Sequence, residues 1–175
     1  MTPAPDMIDL VEPLIPAMRR YARALLRDLE AADDLVQDCL ERAITRWPQR
    51  RPGGSARAWM LTMLHNLAIN RIRSLRRRGD AVPLEDVNPS VLGRVGDQEA
   101  AMRGRDLLAA LDHLPDDQRQ IILLVSLEGV SYAEAAAITG VPVGTVMSRL
   151  SRARERLRHL LAESERARPN LRIVK

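Results

Sequence analysis

Apolar side chains recur along this chain at helical spacing, roughly every three or four residues, and not at the alternating spacing of strands. β-Branched residues do not alternate with polar ones over any useful length, so we expect no β-sheet. The pattern therefore predicts an all-α fold. Pro13 and Pro16 are expected to keep the chain before the first helix irregular. Helices are predicted at about residues 14–28, 31–47, 56–78, 99–114, 115–128 and 131–139, and from 143 onwards.

The helical pattern disappears between residues 79 and 98, which read GDAVPLEDVNPSVLGRVGDQ. This stretch holds three glycines, two prolines and four acids against one arginine. A structureless segment of this length is unusual inside one compact domain, so we expect an extended acidic linker. The linker would join two small helical domains, residues 1–78 and 99–162, and residues 163–175 would form a polar tail.

The clearest local pattern is a helix-turn-helix between Val130 and Leu160. Ser131 and Glu134 have the spacing of a capping box, and Gly140 supplies a stop. A long helix then follows, with an apolar stripe on one side and a length that suits the DNA major groove. The stripe consists of Val146, Leu150, Ala153, Leu157, Leu160 and Leu161.

Charge along this second helix favours a nucleic-acid partner. Five arginines between Arg149 and Arg158 face a single acid, Glu155, so most of them lack a partner one turn away. Such arginines are expected to be free for phosphates or guanine edges. The alternative is a solvated basic face on an ordinary helical hairpin.

Charge elsewhere in the chain is segregated although the net charge is only +4. Residues 28–41 contain six acids and no base, whereas residues 57–78 contain six arginines and no acid. Acids in a first helical turn favour the helix dipole, which accounts for Asp33 and Asp34 but not for Asp38. We therefore expect one protein partner as well as nucleic acid.

The chain offers no pattern for catalysis, metal binding or a cofactor, and we predict none of them. Cys39 stands alone on an apolar helix face and is predicted to be a reduced core thiol. The histidines, at positions 65, 113 and 159, have no partner at ligand spacing. The longest apolar run, residues 121–125, is far too short for a membrane span, so a cytoplasmic protein without membrane insertion is expected.

Four stretches, taken together in this order, resemble the extracytoplasmic-function sigma factors, the small two-domain members of the bacterial sigma-70 family. The resemblance covers roughly residues 14–161. The stretches are DDLVQD at 33–38, SARAWMLTMLHNLAINRIRS at 55–74, LPDDQRQIILLVSLEGVSYAEAAAITG at 114–140 and VGTVMSRLSRARERLR at 143–158.

The resemblance implies a partner for each charged surface. Core RNA polymerase would be bound through the clamp helices of its largest subunit and the flap of its second-largest subunit. The clamp-helix contact would be made by Asp34, Leu35, Gln37 and Asp38. The −10 promoter element would be opened and bound by Arg50, Arg51, Ser55, Asn66, Asn70, Arg71, Arg73 and Arg76. The −35 element would be read by Thr145, Ser148, Arg149, Arg152 and Arg156.

The resemblance further implies an anti-sigma factor as a partner, and a linker that occupies the RNA-exit path. Asn70 stands where many members have an acid, so no specific base contact is assigned to it. Aromatic residues make up only 2% of the chain and Phe is absent, so strand opening would depend on one pocket and on arginines. Trp47 and Trp59 are expected in the core.

The leading hypothesis is a promoter-specificity subunit of RNA polymerase that performs no catalysis itself. One alternative is a stand-alone helix-turn-helix regulator, which leaves the acidic face without a function. Another alternative is a sigma-like decoy that binds an anti-sigma protein and no DNA. Such a decoy would leave Arg149 and Arg152 without a function. If the two domains pack together in the free protein, linker acids at positions 80, 85 and 86 are expected near their arginines.

Overall fold

The computed structural model describes residues 5–51, 53–78 and 98–167, and the regular structure in these ranges is helical. The all-α prediction is thus confirmed. Short 3-10 turns at Glu12–Leu14 and Trp47–Gln49 connect some of the helices. The helices are α1 (Pro5–Val11), α2 (Ile15–Leu26), α3 (Leu29–Arg46), α4 (Ala56–Arg78), α5 (Gln98–Asp112), α6 (Asp116–Ile122), α7 (Tyr132–Thr139) and α8 (Val143–Ala167).

Helix α1 is a correction to the irregular start expected from the prolines. Met7 and Val11, one turn apart, are both 4% exposed and anchor the helix in the core. Pro13 and Pro16 lie in the first turns of the elements that follow, where a proline costs no helical hydrogen bond. The prolines therefore separate α1 from α2 without preventing either.

Helices α2 and α3 pack against α4 and form the core of the first half. Asp28 caps α3 by accepting a 2.8 Å hydrogen bond from the backbone N–H of Ala31. One side of α4 packs into this core, and Met60 and Leu64 are fully buried there. Cys39 is also fully buried, which agrees with a core thiol.

In the second half, α8 packs against α5, α6 and α7. Ser131 and Glu134 form the predicted capping box, and Gly140 ends α7 with φ +69°. Between α6 and α7 the chain makes a π-helical turn, Leu123–Leu127, which the sequence pattern does not distinguish from an ordinary helix. Gly129 follows with φ +63° and leads into α7.

Helix α8 continues to Ala167, although a polar tail is expected from residue 163. Glu163, Glu165 and Arg166 are good helix formers, and the first breaker, Pro169, comes later in the chain. Helix α5 begins at Gln98, which is the last residue of the predicted linker. The rest of that linker, with its acids at 80, 85 and 86, and residues 168–175 lie outside the described residues.

The two halves pack directly on each other. Helix α4 lies against α7, and α2 lies against the π-helical turn. The division into domains at residues 78 and 99 stays a prediction, but the described helices on either side of it share an interface. This interface determines which of the expected binding residues are accessible.

Candidate functional site

The reading face of α8, as we call the exposed side of its first three turns, lies opposite the buried stripe. Arg152 is exposed there and has no ion-pair partner among the described residues. Ser148 is half-buried, and its hydroxyl donates a 3.0 Å hydrogen bond to the carbonyl of Thr145. Arg156 is exposed one turn later on the flank that it shares with Thr145. All five residues expected at the −35 element are therefore exposed or half-exposed.

Arg149 differs from the other residues in that set. Its Nε lies 3.0 Å from Oδ2 of Asp117, and its side chain is 28% exposed. Its acidic partner, Asp117, belongs to α6 and not to α8, so Arg149 is an exception to the expectation that most of these arginines are free. Counting the acids one turn away on the same helix cannot detect a partner on another helix.

The residues expected at the −10 element fall into two groups along α4. The first group surrounds the loop before the helix, and the second begins at Asn66, about 16 Å further along the axis. Arg50 stacks on Trp47 with its guanidinium 4.6 Å from the ring centroid and donates a 2.7 Å hydrogen bond to the carbonyl of Gly54. Ser55 accepts a 3.1 Å bond from the N–H of Ala58.

These contacts mean that Arg50 and Ser55 already hold the loop in place. Arg51, in contrast, is exposed. Trp47 is 7% exposed and packs edge-on against Trp59 with the ring centroids 5.8 Å apart. Both tryptophans thus serve the core, and the loop presents arginine and backbone groups rather than aromatic rings.

The second group lines a cleft between the two halves, which we call the inter-half cleft. Asn66, Asn70 and Arg73 are exposed along α4 and face the start of α6 across this cleft. Arg76 forms an ion pair with Asp116, with Nη1 2.6 Å from Oδ2. The same cleft receives Arg149 from α8.

Residues expected to bind two separate promoter elements therefore converge on one acidic pair, Asp116 and Asp117. Arg71 lies in an adjoining groove with Leu25 and Leu75, and Asp116 borders that groove as well. A carboxylate pair at this position repels phosphates, so the inter-half cleft in this arrangement is unsuited to a DNA strand.

The outer face of α3 carries the acids expected to dock on a protein. Asp34, Gln37 and Asp38 are exposed, and neither aspartate has an ion-pair partner among the described residues. Two like charges one turn apart cost the helix a few tenths of a kcal/mol. Gln37 donates a 3.2 Å hydrogen bond to Glu41. Leu35, expected with this group, instead lies inward and is 3% exposed, so it supports the face from the core.

Glu128 links the two halves and was not singled out by the sequence. Its side chain is completely buried and receives two hydrogen bonds from Arg20 of α2, at 3.0 and 2.9 Å. Arg57 of α4 donates to the Glu128 backbone carbonyl and lies 3.6 Å from the carboxylate. A single acid after the π-helical turn thus binds arginines from two helices of the other half.

A second charged cluster lies nearby at the same interface. Arg119 is 4% exposed, donates to the carbonyl of Ala24 in α2, and bonds Oδ1 of Asp112 at 3.0 Å. Arg27 binds the same carboxylate at 2.7 Å. Burial and the positive charge of Arg27 lower the pKa of Arg119 to about 10, so it stays protonated near neutral pH.

We call these two clusters, centred on Glu128 and on Arg119, the charged clasp. Glu128 could have been identified as the single acid in the mainly apolar stretch at 121–130, whereas Arg119 lies in the polar stretch at 116–120 and has no such signal. No helix within the described ranges is long and apolar enough to cross a bilayer.

Comparison with protein families finds two matches, one in each half. Residues 11–65 match the Sigma2 domain of PhyR, and residues 104–157 match Sigma-70, region 4. The first match contains α2 and α3 and reaches the middle of α4, whereas the second contains α6, α7 and most of α5 and α8.

Relatives match over most of the chain. An ECF RNA polymerase sigma factor, EcfG of Rhodopseudomonas palustris, is 40% identical over 150 residues, which is 84% of this chain and 80% of that protein. The ECF RNA polymerase sigma factor SigC of Mycobacterium tuberculosis is 40% identical over 146 residues, 81% of this chain and 75% of that protein.

A solved structure supports the same relationship. The sigma factor RpoE of Bartonella quintana, crystallised with the anti-sigma factor NepR, superposes with a TM-score of 0.77 at 34% identity. The match covers 91% of this chain and 98% of the other. The arrangement of the two halves described above is thus close to that of a sigma factor bound to its inhibitor.

Proposed function

The chain belongs to the extracytoplasmic-function sigma factors of the sigma-70 family, and on this premise we propose that it binds core RNA polymerase and directs promoter-specific transcription initiation. The observation that carries the proposal is the presence, in one chain, of a sigma2 match followed by a region 4 match. The chain would select the promoter, and the polymerase would perform the chemistry. We accordingly place it in the cytoplasm.

We propose that Asp34, Gln37 and Asp38 dock on basic residues of the polymerase clamp helices. Two unpaired carboxylates on one exposed helix face support this assignment, because a partner of opposite charge would relieve their mutual repulsion. Leu35 would contribute by fixing the position of the face from within the core.

The −10 element would be bound by two groups of residues on α4 and its preceding loop. Arg51 is accessible at the loop. The exposed Asn66, Asn70, Arg73 and Arg76 face the acids of α6 across the inter-half cleft, so a DNA strand would reach them once the cleft opens. Arg50 and Ser55 would shape the loop through the bonds that they make to its backbone. With both tryptophans packed in the core, single-strand capture would rely on arginine and amide contacts.

The −35 element would be read by the reading face of α8. Arg152 is the best candidate for direct readout, because it is exposed, unpaired and opposite the buried stripe. Ser148 would accept a hydrogen bond, while Thr145 and Arg156 would contact the backbone from one flank. Arg149 would join them only after its ion pair with Asp117 breaks.

We propose that the described arrangement is the closed, inactive form of the free protein. The ion pairs of Asp116 and Asp117 are partly exposed, so each contributes at most about 1 kcal/mol and can be exchanged for phosphate contacts. The Glu128 carboxylate is completely buried and paired with Arg20 and Arg57, so separation of the halves must break both of these interactions at once. Closure would therefore depend on the charged clasp, and the exposed acids would mask DNA-binding arginines.

An anti-sigma factor would act by holding this closed form, as the similarity to an inhibited sigma factor suggests. A ligand that shifts a protein from mostly closed to mostly open needs about 5.5 kcal/mol of preference for the open form. Polymerase would supply this preference, because it would bind the two halves apart.

The alternatives explain less of the chain. A stand-alone helix-turn-helix regulator would not use the unpaired acids of α3, and a decoy without DNA binding would not use the exposed Arg152. The distinguishing experiment is run-off transcription by core polymerase on promoter fragments selected from a genomic library. We expect transcripts of defined length only when the chain is added. Promoter binding by the chain without transcription would favour the regulator, and neither activity would favour the decoy.

A further inference from the structure

Met147 is the most exposed large apolar side chain among the described residues, with 54% of its surface accessible. Val143, one turn earlier on the same helix, is 43% exposed. Isolated exposed apolar residues are common on protein surfaces, so exposure alone identifies no site. The position of Met147 in the fold is what gives it meaning.

Met147 lies in the second turn of α8, on the flank of the reading face that it shares with Ser151. In a helix-turn-helix, the first turns of the second helix approach the base edges, whereas later turns and flanking residues approach the phosphates. The placement therefore directs Met147 towards bases. Arg149, two residues further on, faces the other flank and is bound to Asp117.

The surroundings of Met147 are basic and point to DNA rather than protein as the occupant. Met147 shares a shallow depression with Arg154, Arg158 and one acid, Glu155, so the two arginines outweigh the acid there. Both arginines are exposed and have no ion-pair partner among the described residues. They would meet phosphates on one side of the groove, and Arg152 would enter the groove itself.

The chemistry of the major groove limits what a thioether can read there. Base edges present hydrogen-bond donors and acceptors, and their apolar feature is the C5-methyl group of thymine. Methionine is unbranched and polarizable, and it adapts its shape to a small apolar neighbour. We propose that Met147 reads the C5-methyl of a thymine in the −35 element, an inference that rests on the sigma-factor function proposed above.

The test compares thymine with deoxyuridine, which differs only by that methyl group. Holoenzyme reconstituted from core polymerase and the full chain is first used to select a promoter. Each thymine of the upstream element, on both strands, is then replaced singly by deoxyuridine and binding is measured. For the wild-type chain we expect about fourfold weaker binding at one or two positions, as burial of one methyl group implies.

The Met147→Ala variant should bind thymine and deoxyuridine duplexes equally, and Met147→Leu should keep part of the sensitivity because it restores an apolar contact. Met102→Ala is the matched control, since Met102 is 45% exposed on α5 and should leave the full sensitivity unchanged. Arg152→Ala should weaken binding to both duplexes while preserving the difference between them.

Equal binding of all duplexes by the wild-type holoenzyme would overturn the inference, as would an undiminished deoxyuridine effect in Met147→Ala. In either case run-off transcription would still proceed from the unmodified promoter, and the sigma-factor function would stand. Absence of any promoter-specific binding by the wild-type holoenzyme would overturn the proposed function and this inference together.

Discussion

His65 lies in the core of the first half, 4% exposed, where its Nδ1 is 2.9 Å from the hydroxyl of Tyr21. The Tyr21 hydroxyl is itself fully buried, and burial raises the pKa of that phenol far above its usual range. Tyr21 therefore stays protonated and can donate to a neutral imidazole. Burial, assisted by the charge of Arg73, lowers the pKa of His65 to about 4.

This pKa predicts that the protein loses stability in mild acid. In the unfolded chain the histidine pKa is about 6.5, so between there and about 4 the unfolded state binds a proton that the folded state excludes. Stability is thus fully present above pH 6.5 and is lost as the pH falls towards 4. From pH 7 to pH 5 the loss from this residue should be about 2 kcal/mol.

Urea denaturation of wild type and His65→Gln at the two pH values measures this loss. Glutamine can still accept a hydrogen bond from Tyr21 but does not titrate. The variant should therefore be less stable at pH 7, and its free energy of unfolding should fall by about 2 kcal/mol less than that of the wild type between pH 7 and pH 5. An identical pH dependence in both proteins would show that His65 is not the responsible group.

At the scale of single elements, α3 illustrates a helix with two functions. Its inner face, with Leu35 and Val36 each at most 3% exposed, holds the first half together. Its outer face leaves Asp34 and Asp38 without partners among the described residues. Because the two faces are independent, the docking function can be removed without disturbing the fold.

The double variant Asp34→Lys with Asp38→Lys should bind core polymerase about 2–5 kcal/mol more weakly, since it opposes like charges at the proposed contact. Thermal unfolding should stay within about 1 kcal/mol of wild type. The matched control is Glu163→Lys with Glu165→Lys, which makes the same charge change on exposed residues at the end of α8. A titration with core polymerase at moderate salt should show weaker binding for the α3 variant and unchanged binding for the control. Equal losses of affinity in both variants would mean that net charge, and not the α3 face, causes the effect.

Elements whose signals are local were predictable from the sequence. The capping box at Ser131, the glycine stop at Gly140 and the stripe of α8 depend on neighbouring residues, and the structure contains all three. Helix α1 was missed because its two buried anchors, Met7 and Val11, are too few to form a pattern beside the prolines. Its stability comes from packing against the rest of the core.

The interface between the halves was not predictable in the same way. Ion pairs such as Arg149 with Asp117 and Arg20 with Glu128 join residues on different elements, and in the second case they are 108 positions apart. Spacing along one helix carries no information about such partners. The sequence did indicate which surfaces were charged, and the fold determined how they face each other.

At the scale of the whole molecule, the protein combines a closed arrangement with surfaces that work only when it is open. The charged clasp is well suited to a reversible interface, because Arg20 and Arg57 are 36% and 39% exposed and water can replace their partner. A purely apolar interface would expose hydrophobic surface on opening. The central claim is that polymerase separates halves that the free protein holds together.

A distance measurement between spin labels tests this claim most directly. Labels at Glu12→Cys and His159→Cys would report on the two halves, since both positions are exposed and lie outside the clasp. The native Cys39 should not compete for label, because burial raises the pKa of its thiol to about 12. Glu128→Gln removes the clasp charge with little change in volume and should favour opening by at least about tenfold.

We predict a single short distance in the free protein and a distinctly longer one in complex with core polymerase. The free Glu128→Gln variant should show both distances, and an exposed control, Glu155→Gln, should behave as wild type. If the free and core-bound proteins give the same short distance while the labelled holoenzyme transcribes from its promoter, the halves do not separate and the account is contradicted.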